Sequence, residues 1–434
     1  VSAALTRVRA LLSGDFVRHG AIVFAATLLV NIFGYVFHFA LSRKLGVVLY
    51  GELSALNAAF MISVVVPLIG GTIAVKYAAT FHHAGDRGRL AALSRRTLAL
   101  VAGGGAASLV ALLALAGPIA TFLRVDDRSA VMLAMAMIAM TMASGTIRGL
   151  FQGEEDFNAF AFSTIIESFL KMVLGIGFAY AGYGIVGAFG GWALGTFIAL
   201  GYNVFTALAK VRGVRSAPLD LHLGKLATTM AGITAANLLV VIIQNGDLLL
   251  VKHFADPRTA GLYGALSLAG KILLFFVAFI PLIVIPKATR VALAGERPGG
   301  LLLQALGASL AMSLPGLLFF YIKPELVVTL LAGAAFAAAT PYVFAYGVAM
   351  VELAVLNVLV SYKIGIHRFD FVLPLALCAL GEMIGISFYH AGLAEVIRVL
   401  IVGNFVAALA VGWRIWEPSS ANAALPLGTV VDVT

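Results

Sequence analysis

The run at 301–322, LLLQALGASLAMSLPGLLFFYI, contains no charged residue. As an α-helix rising about 1.5 Å per residue, it is long enough to cross a hydrocarbon layer about 30 Å thick. Runs like it recur along the chain. A backbone amide inside lipid finds no water, so segments of this length fold as helices that satisfy their own hydrogen bonds. Composition agrees: 62% of the residues are hydrophobic and 11% charged, against about 45–50% and 25% in soluble domains. A soluble core of 434 residues could not hide so much apolar surface.

The apolar pattern predicts twelve helices, over 19–41, 48–75, 97–117, 130–150, 158–181, 184–208, 226–251, 260–285, 301–322, 340–362, 371–391 and 394–416. A further apolar piece, 326–333, is too short to span and is expected as a partial helix at the outer surface. No cleavable signal is expected ahead of the first helix, which reads as its own insertion signal. The connecting loops alternate in charge, with about 19 Lys and Arg on one side and about 8 on the other. That bias predicts both termini in the cytoplasm. It also accounts for the formal charge of +9 without a nucleic-acid partner.

The longest polar connection, KVRGVRSAPLDLHLGK at 210–225, reads as a cytoplasmic linker about which the flanking bundles rock. The expected division is an interfacial segment at 1–18, a first lobe at 19–209, the linker at 210–225, a second lobe at 226–416 and a tail at 417–434.

The sequence echoes itself across that linker. LYGELSALNAAFMISVVVPLI at 49–69 returns as LYGALSLAGKILLFFVAFIPLI at 262–283, offset by 213 at the start and 214 at the end. AGDR at 84–87 and AGER at 294–297 follow in the same order. Six helices per copy keep both copies in one orientation. A parallel repeat of this kind is a transporter architecture, with a site between the copies. The expected fold is all-α: twelve transmembrane helices in two pseudo-symmetric six-helix lobes, V-shaped.

Three stretches carry a family resemblance: DLLLVKHFADPRTAGLYGA at 247–265, FALSRKLGVVLYGELSAL at 39–56 and IRGLFQGEEDFNAFAF at 147–162. They resemble the polysaccharide (oligosaccharide) flippase family of the multidrug/oligosaccharidyl-lipid/polysaccharide exporter superfamily. The resemblance covers about the first 300 residues; the last four helices match mainly in hydropathy. It implies a cavity lined by the first, second, seventh and eighth helices. It also implies a polyprenyl-diphosphate oligosaccharide carried from the cytoplasmic to the outer leaflet of a bacterial or archaeal cytoplasmic membrane. A glycosyltransferase or polysaccharide polymerase would be the neighbouring machinery. A multidrug antiporter of the same superfamily is the first alternative, and a membrane polymerase or ligase the second.

Charges in mid-membrane cost about 2.5–3.5 kcal/mol each on insertion scales, so each needs a partner or a wet cavity. Lys271 lies midway along the eighth helix, with Asn57 at its repeat position, and suits a diphosphate. Gln244, Asn245 and Asp247 on the seventh helix, with Asn31 at matching depth on the first, are expected along the sugar path. Asp247, Glu352 and Glu382 are candidates to couple transport to a proton or sodium ion. Glu167 and Lys171, four apart, are expected to form a structural pair on one helix face. Arg148 is expected in a salt-bridged turn with Glu154, Glu155 and Asp156. Arg18, Lys76 and Arg290 are read as an entrance for an anionic headgroup, or as contacts to membrane lipid. The small-residue run AGGGAAS at 102–108 is expected to pack closely against another helix. Cys378 is alone in the chain, and His82–His83 lacks a third ligand, so neither a disulfide nor a metal site is expected. The chain shows no P-loop signature for nucleotide hydrolysis.

Overall fold

A computed structural model describes residues 14–65, 68–221, 223–293 and 299–413. Most of the expected interfacial segment and all of the C-terminal tail lie outside them, as does AGER. The helices are α1 (Gly14–Ser63), α2 (Leu68–His83), α3 (Arg87–Leu123), α4 (Arg128–Gly153), α5 (Phe157–Phe178), α6 (Gly184–Val211) and α7 (Leu223–Phe254). They continue with α8 (Pro257–Val277), α9 (Ile280–Leu293), α10 (Gly299–Ile322), α11 (Pro324–Leu331), α12 (Val343–Gly365), α13 (Val372–Phe388) and α14 (Leu393–Gly412). A π-helical turn, Ala179–Tyr183, precedes α6, and a 3₁₀ stretch, Ala334–Tyr342, precedes α12.

Nine segments among the described residues are long and apolar enough to cross a membrane. Two of these, of 46 and 55 residues, are about twice the length of a span, and each folds back on itself. The Tyr50 hydroxyl lies 3.3 Å from His38 Nδ1, whereas twelve residues of straight helix would separate them by about 18 Å. The chain reverses at Gly46, with φ 69°, a backbone conformation that glycine adopts without a side-chain penalty. The second reversal, at Gly182 and Gly184, lets the Thr196 hydroxyl donate to Glu167 at 3.2 Å. The expected twelve crossings are reached by dividing these two segments and counting the 17-residue apolar α13. The chain is an all-α, multi-pass membrane protein. Large apolar side chains such as Phe24, Phe205, Leu377 and Phe388 cover its outside.

Aspartates begin several of these helices. Asp86, Asp127, Asp156 and Asp256 each accept a backbone N–H from the first turn of α3, α4, α5 and α8, bonds that a helix start cannot make internally. AGDR, part of the echo, and EED and ADP, within two of the stretches that carry the resemblance, are therefore helix N-termini. The second and eighth spans are longer than expected, because α2 runs to His83 and α9 to Leu293. Both spans are interrupted, between Ser63 and Leu68 and between Val277 and Ile280. Pro281 lacks the N–H that would bond the Val277 carbonyl, so the second Pro-Leu-Ile marks a helix break.

One packing expectation fails. The run at 102–108 does not form a close interface: a Cβ added at Gly103 or Gly104 would meet nothing within 4 Å. Close approach occurs instead between α5 and α6, where a Cβ on Gly191 would strike the backbone of Leu174 and Gly175, and between α2 and α4 at Gly71 and Gly149.

The two copies of the echoed motif touch at one end of the bundle. A Cβ on Gly261 would collide with the Val47 carbonyl, one on Gly51 would lie 2.8 Å from Gly261 N, and one on Gly264 would lie 2.6 Å from Ser54 Oγ. Around that contact, Lys252 and Glu52 form a buried ion pair at 3.7 Å. Tyr50 meets Phe336 edge-on at 5.5 Å, and His253 stacks on Phe122 at 4.2 Å. Arg43 donates to the carbonyls of Thr329 and Leu330 at 2.9 Å, capping the C-terminus of α11 from the other half. The short helix expected at 326–333 is thus part of a seal. At the opposite end, Lys210 pairs with Glu154 and Asp156, and Lys363 with Asp370, each tying one half to itself.

The linker is not a free tether. Arg95 donates to the carbonyls of Val211 and Val214 at 2.9 and 2.8 Å, and the Ala217 amide donates to the Gly88 carbonyl at 3.1 Å. Leu219 and Leu221 pack against the cluster of Phe81, Leu93 and Leu150. The linker as far as Leu221 is therefore strapped to the first half.

Gly261→Val should wedge the closed end apart, because overpacking of this kind costs about 1–3 kcal/mol. In a Cys378→Ser background, Ser54→Cys should then react faster with a membrane-impermeant maleimide. Unchanged labelling would mean that the glycine contact does not hold this end shut. A second expectation concerns Asp370. Burial pushes its carboxyl up, but the hydrogen bond and charge of Lys363, with Arg368, outweigh that and hold it below the usual carboxylate range. Its contribution to stability is therefore complete above about pH 4 and is lost as pH falls through the depressed folded value. Asp370→Asn should cost about 1–3 kcal/mol at neutral pH and flatten the acid limb of thermal unfolding in detergent.

Candidate functional site: a cationic central cavity

Between the halves lies a cavity of about 640 Å³. Its walls come from α1, α4, α5 and α6 of the first half and from α7, α8, α9 and α12 of the second. Five residues that the sequence placed along the substrate path line it: Asn31, Asn57, Gln244, Asn245 and Lys271. Two of the pairs stand in repeat register, Asn31 with Gln244 and Asn57 with Lys271, so the duplication places matched positions on facing walls. Lys271 Nζ donates to Asn245 Oδ1 at 2.8 Å, which leaves two of the ammonium's three N–H groups for other partners.

Asp247 departs from expectation. It is 1% exposed and is not part of the cavity wall. Successive helix residues turn by about 100°, so with Asn245 facing the cavity Asp247 faces nearly the opposite way. There its Oδ2 accepts the Tyr263 hydroxyl at 2.5 Å, while Oδ1 has no partner. Glu382, on α13, is buried within electrostatic range of Asp247, and its Oε1 is also unpartnered. Glu352 on α12 has an unpartnered Oε2 and lies off the cavity, while Asn357, further along the same helix, lines it.

The expected Glu167–Lys171 pair is replaced by a different arrangement. Glu167 takes the guanidinium of Arg148, which also donates to Ser163 Oγ at 2.8 Å. Lys171 instead stands 3.5 Å over the ring of Trp192 and 4.7 Å from that of Phe37, a cation–π contact that stabilises the ammonium where water is scarce. Arg148 consequently does not join the acidic turn, whose Glu154 and Asp156 pair with Lys210 at 2.7 and 2.6 Å. The cause is direction: side chains on a helix lean toward its N-terminus, which in α4 points Arg148 away from the turn and into the bundle.

Arg148, Glu167, Lys171, His38, Tyr35 and Trp192 all line the cavity, and sequence reasoning did not place them there. Lys171 gave the same signal as Lys271, a lone cation midway along an apolar helix. The carboxylate four residues away masked it. Arg18, Lys76 and Arg290 are exposed and do not line the cavity. Among the described residues, no group of three His, Cys, Asp or Glu could hold a metal ion. Among the described residues, the lining therefore carries two cations without a carboxylate partner, one from each half, while its one carboxylate is already bound to Arg148.

Comparison with known proteins follows the same lines. No curated protein matches the chain. Among solved structures, the inward-facing conformation of a multidrug resistance MATE family transporter of the MOP superfamily aligns with a TM-score of 0.74 at 13% identity, over 88% of this chain and 92% of that one. An outward-facing conformation of such a transporter aligns at 0.61 and 14% identity, over 92% and 93%. The lipid II flippase MurJ in an inward closed conformation aligns at 0.64 and 11% identity, over 92% and 87%. Identities this low establish a shared fold. A family model described as polysaccharide biosynthesis protein matches residues 95–341, more than half of the 434 residues. The chain belongs to that polysaccharide biosynthesis family.

Proposed function

We propose that this protein is a flippase that moves a polyprenyl-diphosphate-linked oligosaccharide from the cytoplasmic to the outer leaflet by alternating access of two lobes. The observation that carries this reading is the pair Lys171 and Lys271, facing one cavity from opposite halves. A diphosphate that binds both lysines draws the halves together at the open end. The seal of Arg43, Glu52–Lys252 and the glycine contact is then the element that must part. The loop charges put the open end and both termini in the cytoplasm, so the closed end faces outward, at the cytoplasmic membrane of a bacterium or archaeon. Arg18, Lys76 and Arg290, exposed outside the cavity, serve as collecting charges for the headgroup or for anionic lipid. A glycosyltransferase supplies the substrate and a polymerase consumes the product.

A drug antiporter selecting organic cations needs unpaired carboxylates in its cavity, the opposite of this lining. A polymerase needs a catalytic outer domain, and the 323–342 connection at the closed end holds only a short helix and a 3₁₀ stretch. Energy coupling falls to Asp247 and Glu382, buried within electrostatic range of each other, each with an oxygen unpartnered. A proton or sodium ion bound there would act on α7, which carries Asn245 on its other face. Glu352 is a second, more solitary candidate.

In proteoliposomes loaded with a fluorescent polyprenyl-diphosphate oligosaccharide, Lys171→Ala and Lys271→Ala should each slow translocation about 10- to 100-fold, as expected for losing a hydrogen bond to a charged group. Lys171→Arg and Lys271→Arg should retain more activity than the alanine variants. A double alanine variant that flips at the wild-type rate would remove the lysines from the mechanism. Asp247→Asn should abolish dependence on the coupling gradient and leave equilibrium binding of the headgroup within about threefold.

A further inference from the structure

Tyr50 stands between the cavity and the closed end. Its ring meets Phe336 of the second half edge-on at 5.5 Å, and a Cβ added at Gly264 would lie 3.6 Å from its Cε1. The next residue, Gly51, belongs to the glycine contact. On its other side the Tyr50 hydroxyl has His38 Nδ1 at 3.3 Å, and His38 lines the cavity. Of the residues that α1 contributes to the lining, His38 lies nearest the reversal at Gly46, about 12 Å away along the helix. In the second half the equivalent tyrosine, Tyr263, is tied to Asp247, which is not part of the cavity wall. Of the two tyrosines, the one in the first half therefore has the partner that a ligand can touch.

His38 also stands within electrostatic range of both Lys171 and Lys271, so a diphosphate that bridges the lysines comes beside its ring. Nδ1 is taken by Tyr50, and Nε2 has no partner among the described residues. When the Tyr50 O–H donates to Nδ1, the ring proton sits on Nε2, where it can donate to a phosphate oxygen. The two contacts are unequal. At 3.3 Å the Tyr50 contact is longer than an ordinary hydrogen bond, whereas a bond to an anion is about twice as strong as a neutral one.

We propose that His38 passes diphosphate binding on to the closed end. Its Nε2–H binds a phosphate oxygen, the ring draws away from Tyr50, and Tyr50 gives up its place against Phe336 so that the seal parts. The inference rests on the flippase reading and assigns the trigger that the same cavity uses.

The test uses the full chain with Ser54→Cys and Cys378→Ser in proteoliposomes. Labelling by a membrane-impermeant maleimide is followed with and without a saturating fluorescent polyprenyl-diphosphate disaccharide. With His38 in place, the disaccharide should speed labelling at least about tenfold. Asparagine keeps a polar group at the Nδ1 position but falls short of Nε2, whereas glutamine reaches Nε2 and lacks Nδ1. His38→Asn should therefore label as slowly as the parent without ligand and gain about twofold or less with it. His38→Gln should label at least about threefold faster than the parent without ligand. A His38→Asn variant that keeps the tenfold gain at full occupancy overturns the inference. So does fast labelling of both variants without ligand, which would make His38 a structural brace only. A disaccharide that binds and is flipped without speeding the parent's labelling also overturns it, and leaves the flippase reading standing. If the disaccharide neither binds nor moves, the flippase reading fails and the inference fails with it.

Discussion

Two backbones meet without side chains between them where Val47 and Gly51 face Gly261. The rest of the molecule is organised around that approach. It is possible only because glycine stands on both sides of the crossing, Gly51 in the first copy of the motif and Gly261 just ahead of the second. The fully buried Tyr50 and Tyr263 then stand at repeat-equivalent positions beside it. Each tyrosine reaches back to the preceding span, Tyr50 to His38 and Tyr263 to Asp247. The contact fixes one end of the bundle, so the separation of the halves, and with it the cavity, appears toward the other.

Within that frame the ionisable groups follow a simple electrostatic logic. A charge taken into the bilayer is tolerated when it is paired, rests on an aromatic face, or borders a wet space. Arg148 and Glu167 neutralise each other, Lys171 rests on Trp192, and Lys271 leans on an amide. Asp247 and Glu382 are enclosed on the far side of α7 and share their burial with tyrosines. The seventh span thus separates the cavity's lysines from a pair of buried acidic residues within its own width.

Much of this was legible in the residues. Spans, duplication and family followed from apolar length, an echo in register and three resembling stretches, because each depends on local sequence. Asn31, Asn57, Gln244, Asn245 and Lys271 were found because repeat register and depth are also sequence properties. The errors arose where a nearer partner in sequence competed with a farther one in space. Glu167 chose Arg148, 19 positions away, over Lys171, and the acidic turn chose Lys210. Asp247 was misplaced because depth along a helix does not give the face. The run at 102–108 shows that small residues permit close packing without requiring it.

The strap across the first half bears on what kind of machine this is. With Arg95 and Gly88 holding the chain from Val211 to Ala217, and Leu219 and Leu221 bedded in a hydrophobic cluster, the second half hangs from a short, firmly anchored arm. Its mounting resembles a door hung on a fixed jamb more than two jaws joined by a cord. The first half carries the linker, and the second half joins it only where the anchoring ends, at the start of α7.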